Sequence, residues 1–72
     1  MTLDDLDKAL QAAGGWVRVY RRTWSSETRQ QVITLTNGRS CNPWELRTVN
    51  GIDPIKREYF VDARAILAAV TA

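Results

Sequence analysis

The chain has 72 residues, 44% of them hydrophobic and 25% charged, with a net charge of +2, one cysteine and no histidine. This length makes residues 1–72 a single domain with a thin core, since so small a domain buries only about 60% of the surface its unfolded chain exposes. A lone cysteine excludes an internal disulfide, and without histidine the usual ligands of a zinc site and the usual general base are missing.

The expectation is therefore a non-enzymatic domain that needs no metal and no cofactor. No stretch approaches the ~20 apolar residues that span a membrane. The acidic start, Met1-Thr-Leu-Asp-Asp-Leu-Asp7, lacks the basic region of a signal peptide. With a single cysteine, this points to a cytoplasmic protein.

In chain order, Leu3, Leu6, Leu10 and Ala13 recur at spacings of three and four and predict an N-terminal helix. Thr2 is its cap, Asp4, Asp5 and Asp7 suit its positive end, and Gly14-Gly15 stops it. Trp16 to Trp24 is rich in aromatic and β-branched residues and predicts a strand. Ser25 to Thr28 is expected to be a turn and Arg29 to Thr36 a second strand. Asn37-Gly38 signals a tight hairpin, after which Arg39-Ser40-Cys41 begins a short strand. Asn42, Pro43 and Glu45 form a helix-start pattern, predicting a short middle helix with Leu46 and Val49 inward. It ends at, or turns through, Asn50-Gly51. Asp53-Pro54 is a turn, and Ile55 to Val61 a strand with Ile55, Tyr59 and Val61 on one face. Asp62 caps a C-terminal helix with Ala63, Ile66, Leu67 and Val70 as its apolar face. The fold class is α+β: a small antiparallel sheet of three to four strands with N-terminal, short middle and C-terminal helices.

Register decides which side of the first hairpin is core. With a loop at Ser25 to Thr28, Tyr20 pairs with Ile33, and the tryptophans and Tyr20 are buried; this is the preferred register. A one-residue shift pairs Val19 with Leu35 and exposes the Trp-Arg-Tyr-Arg-Trp stripe instead. Cys41 is expected to be a small buried residue without chemistry of its own.

The segment Gly51-Ile-Asp-Pro-Ile-Lys-Arg-Glu-Tyr-Phe-Val-Asp-Ala-Arg-Ala-Ile-Leu67 resembles the wing and final helix of phage excisionase-like and MerR-like winged-helix proteins. The resemblance implies DNA binding, with Gly38-Arg39-Ser40 as the turn of a helix-turn-helix and Asn42 to Asn50 as its recognition helix. It also requires residues 29–36 to be a helix. A small SH3-like or Sm-like barrel behind an N-terminal helix is the other alternative fold.

Charge is unevenly spread: the acids cluster at the two ends, and arginines dominate residues 16–57. A basic, aromatic-rich middle suits an anionic partner. The expected function is a regulatory module binding nucleic acid through Arg18, Tyr20, Arg22, Trp24, Arg29, Arg39, Arg47, Lys56 and Arg57. The alternative is a modulator or inhibitor of a protein partner, since Trp, Tyr and Arg dominate interface hot spots. Homo-oligomerisation stays open.

Overall fold

The apolar period of three to four at each end of the chain becomes a helix in the computed structural model, which describes residues 1–39, 41–50 and 53–71, with Asp53 by its backbone only. Helix α1 spans Leu3–Ala13. Thr2 and Asp5 close a capping box: the Thr2 hydroxyl accepts from the Asp5 amide at 3.0 Å, and the Asp5 carboxylate accepts from the Thr2 amide at 3.1 Å. Gly14, at φ +85°, ends the helix by donating its amide to the Leu10 carbonyl. Helix α2 spans Ala63–Thr71, with the Asp62 carboxylate accepting from the Ala65 amide at 2.9 Å.

Between the helices lie five strands: β1 (Val17–Tyr20), β2 (Thr23–Ser26), β3 (Gln31–Leu35), β4 (Trp44–Asn50) and β5 (Asp53–Phe60). They pair in chain order as one antiparallel meander. The α+β class is as expected, but the described residues form two helices and five strands, and several predicted elements are corrected.

Trp16 to Trp24 is not one strand. It folds back at Arg21-Arg22, a turn without Gly or Pro, where Arg18 donates from Nε and Nη2 to the Arg21 carbonyl at 3.1 and 2.6 Å. The next turn is accordingly Glu27 to Gln30, and Ser25 and Ser26 are strand residues. Both predicted registers fail, because β1 pairs with β2 and not with β3; Trp24 is the residue opposite Ile33.

The middle helix is strand β4. Its cap pattern was local, whereas burial follows period two: Trp44 and Leu46 are buried while Glu45 and Arg47 face the other way. Asp53-Pro54 starts β5 instead of turning. Asn37-Gly38 lies in a longer loop whose ends are tied where the Thr36 amide and hydroxyl both donate to the Pro43 carbonyl, at 2.8 and 2.7 Å. Arg39 and Cys41 are not in a strand, and Cys41 is exposed. Ser40 and the Gly51 turn lie outside the described residues.

A helix-turn-helix is excluded, because residues 31–35 and 44–50 are paired strands. The sheet is open, with β1 and β5 as its edges, so it is not a barrel.

One face of the sheet carries the core. Trp16, Trp24, Ile33, Trp44 and Leu46 pack against Leu6 and Leu10 of α1 and Ala63, Ile66 and Val70 of α2. Trp24 is at the centre, fully buried, 6.1 Å from the Trp44 ring, its Nε1 donating to Asp7 of α1 at 3.0 Å. This bond satisfies the polar handle that a buried indole brings with it.

Candidate functional site

Because strand residues alternate, the register that buries Trp24, Ile33 and Leu46 turns their neighbours to the other side. Both helices pack on the first side, so among the described residues no helix covers the second. Two cross-strand rows define it: Thr23, Thr34, Glu45 and Tyr59 in one, and Ser25, Val32, Arg47 and Arg57 in the next. None of these side chains is buried.

Tyr20 joins this face through an irregularity. Arg18, opposite Trp24, points to the helix side, and simple alternation would send Tyr20 there too. The register shift between Arg18 and Tyr20 places Tyr20 opposite Thr23 instead, where it is 75% exposed. Bulges re-aim side chains in this way. The first row therefore runs Tyr20–Thr23–Thr34–Glu45–Tyr59 across all five strands.

At the β5 end the groups are held in place. The Tyr59 hydroxyl donates to Glu45 Oε2 at 3.2 Å. The Arg39 guanidinium stacks over the Tyr59 ring, 3.8 Å from its centroid, while its Nε donates to the Asn42 carbonyl at 3.1 Å. Arg47 Nε lies 4.0 Å from Glu45 Oε1, buried and without a hydrogen-bond partner. That nitrogen is closed off from solvent, while the side chain as a whole is 37% exposed and leaves the rest of the guanidinium open to the face. Glu45 carries the only carboxylate among the described strand residues of this face.

Below the second row the face dips into a groove of about 670 Å³ whose lining includes Ser25, Glu27, Gln30, Val32, Arg47 and Pro54. Gln30, at φ +52°, holds its rim through a bond from the Val49 amide to the Gln30 carbonyl.

The nine residues singled out in the sequence thus divide. Tyr20, Arg39, Arg47 and Arg57 gather on or beside the uncovered face. Trp24 is core. Arg18 lies over the Trp24 ring at 5.1 Å and pairs with Asp4 of α1 at 3.1 Å. Lys56 pairs with Glu58 at 3.0 Å on the helix side of β5. Arg22 donates to Asn37 at the end of the sheet, and Arg29 to Gln31 in the β2–β3 turn. Tyr59 was missed as a site residue because its partner, Arg39, is 20 positions away, and only the β4–β5 register and the preceding loop bring them together.

Among the described residues no helix is long and apolar enough to cross a membrane, and no group of three or more His, Cys, Asp or Glu side chains could hold a metal ion. No protein-family model matches the chain, and neither a curated protein nor a solved structure matches it.

Proposed function

We propose that this chain is a nucleic-acid-binding module whose ligand docks on the sheet face left uncovered by the helices. The observation that carries this reading is the make-up of that face. Arg39, Arg47 and Arg57 stand there with Tyr20 and Tyr59, and Glu45 is engaged by the Tyr59 hydroxyl. Cations for phosphates and aromatic faces for bases are the two ingredients of such surfaces. Much of the acidic charge lies elsewhere: Asp4, Asp5 and Asp7 on α1, and Asp62 at the start of α2. The binding set of the proposal is Tyr20, Arg39, Arg47, Arg57 and Tyr59.

The test is fluorescence anisotropy of labelled DNA and RNA oligonucleotides across a salt series. The wild type is expected to bind at low salt and to weaken as salt rises, through counterion release. The combined change Arg39→Gln, Arg47→Gln and Arg57→Gln should leave the far-ultraviolet spectrum intact. It should also reduce the slope of log K against log salt by roughly 2–3, about 0.7–0.9 for each lost phosphate contact. Absence of binding at the lowest salt, or an unchanged triple variant, overturns the proposal. So does a protein ligand that holds at high salt after nuclease treatment, which assigns the face to a protein partner.

A further inference from the structure

We infer, resting on the nucleic-acid reading above, that the ligand is a single strand lying across the β-strands, with bases stacked on Tyr20 at one end and on the Arg39–Tyr59 pair at the other. Tyr20 and Tyr59 terminate the same cross-strand row, four strand intervals apart. At about 4.7–4.9 Å per interval they stand roughly 19 Å apart. Between them Thr23 and Thr34 contribute only small hydroxyl side chains, and the third residue, Glu45, has its carboxylate taken up by the Tyr59 hydroxyl and faced by Arg47, so a chain can run from one ring to the other past a carboxylate that is already engaged. The parallel row two residues along brings Arg47 and Arg57 onto neighbouring strands. That cationic pair lies beside the path, where the phosphates of such a strand would pass.

The same dimensions keep this face out of the major groove of a duplex. The major groove of B-DNA is about 12 Å wide and admits one helix or a two-stranded ribbon. A five-stranded sheet face roughly 19 Å across does not enter it. Nor can a duplex offer base faces to exposed tyrosine rings, since its bases are stacked on one another; it offers edges only. The 75% exposure of Tyr20, brought to this side by a bulge, gives an unpaired base a ring to cover. Stacking of this kind tolerates any base and gives sites that start at about four nucleotides for a small β domain.

The experiment compares single-stranded DNA, single-stranded RNA and the corresponding DNA duplex on the wild type, Tyr20→Ala and Tyr20→Phe, at one salt concentration and then across a series. The expected result is at least ten-fold tighter binding of a single strand than of the duplex. Tyr20→Ala should lose roughly ten-fold on the single strand with its salt slope unchanged, because stacking and not charge has been removed. Tyr20→Phe, which keeps the ring, should restore the affinity. Equal affinity for duplex and single strand, or wild-type affinity in Tyr20→Ala, overturns this inference and leaves the nucleic-acid reading standing. Absence of binding to all three ligands overturns both.

Discussion

Two aromatic residues four positions apart, Tyr20 and Trp24, show how far the backbone decides what a side chain does. Trp24 is fully buried in the core and hydrogen-bonded to Asp7 of α1, whereas Tyr20 is 75% exposed on the opposite face. The sequence pattern placed them on one face because it assumed an unbroken strand. The turn at Arg21-Arg22 and the bulge before Tyr20 separate them. Their substitutions should differ accordingly. Trp24→Ala removes a central core ring and should cost about 3–5 kcal/mol, a large share of a small domain's typical ~5–15 kcal/mol. Tyr20→Ala should cost less than about 1 kcal/mol, as surface changes do. Chemical denaturation of both variants checks this, and a Tyr20→Ala loss as large as that of Trp24→Ala would return Tyr20 to the core.

At the scale of elements, the helices were legible and most of the strand boundaries were not, for a physical reason. Helix signals are local: Thr2 with Asp5, Gly14, and Asp62 with the Ala65 amide all act within three or four residues of the ends they define. Strand limits depend on partners that are distant in sequence. Asn42-Pro43-Trp44-Glu45 satisfies a helix start locally, but pairing with β3 and β5 fixes residues 44–50 as a central strand. Trp44 and Leu46 then reach the core together, which a helix at this place would not allow. Gly15 marks another junction beyond local reach. At φ +83° it passes so close to Thr28 that an added Cβ would lie 2.9 Å from the hydroxyl oxygen.

The α1 cap also carries a pH dependence. Hydrogen bonding from the Thr2 amide, then from the Thr2 side chain, holds the Asp5 carboxyl below its ordinary value of 3.8, and the nearby N-terminus and Lys8 act in the same direction. A lowered folded-state pKa contributes stability that is present above the unfolded value and is lost as pH falls through the folded one. Denaturation midpoints measured between pH 6 and pH 2 should therefore fall at the acid end, and less steeply in Asp5→Asn. Parallel curves for the two proteins would remove Asp5 from the acid response.

Taken as a whole molecule, the chain is a two-layer structure, a five-stranded sheet with both helices on one face. The three tryptophans, expected in the sequence to be largely core, are all on the helix side of the sheet, so the small supply of large apolar residues is spent on one face. That leaves the second face with threonines, serines, arginines and tyrosines. Charge asymmetry along the chain foreshadowed this surface, because the basic middle segment is the sheet and the acidic ends are the helices. Which arginines face outward was not legible, since it follows from register alone. Arg18 and Arg57 are equally plausible in the sequence, yet one packs over Trp24 beside α1 and the other lies exposed on the uncovered side.

The most direct measurement of that division is a nuclear magnetic resonance titration of isotope-labelled protein with a short single-stranded oligonucleotide. Binding on the uncovered face should shift the side-chain signals of Tyr20, Val32, Arg39, Arg47, Arg57 and Tyr59, while the exposed side chains of α1 and α2 stay unperturbed. Shifts concentrated on the helices, or none at any oligonucleotide concentration, would contradict the assignment of this face as the nucleic-acid surface.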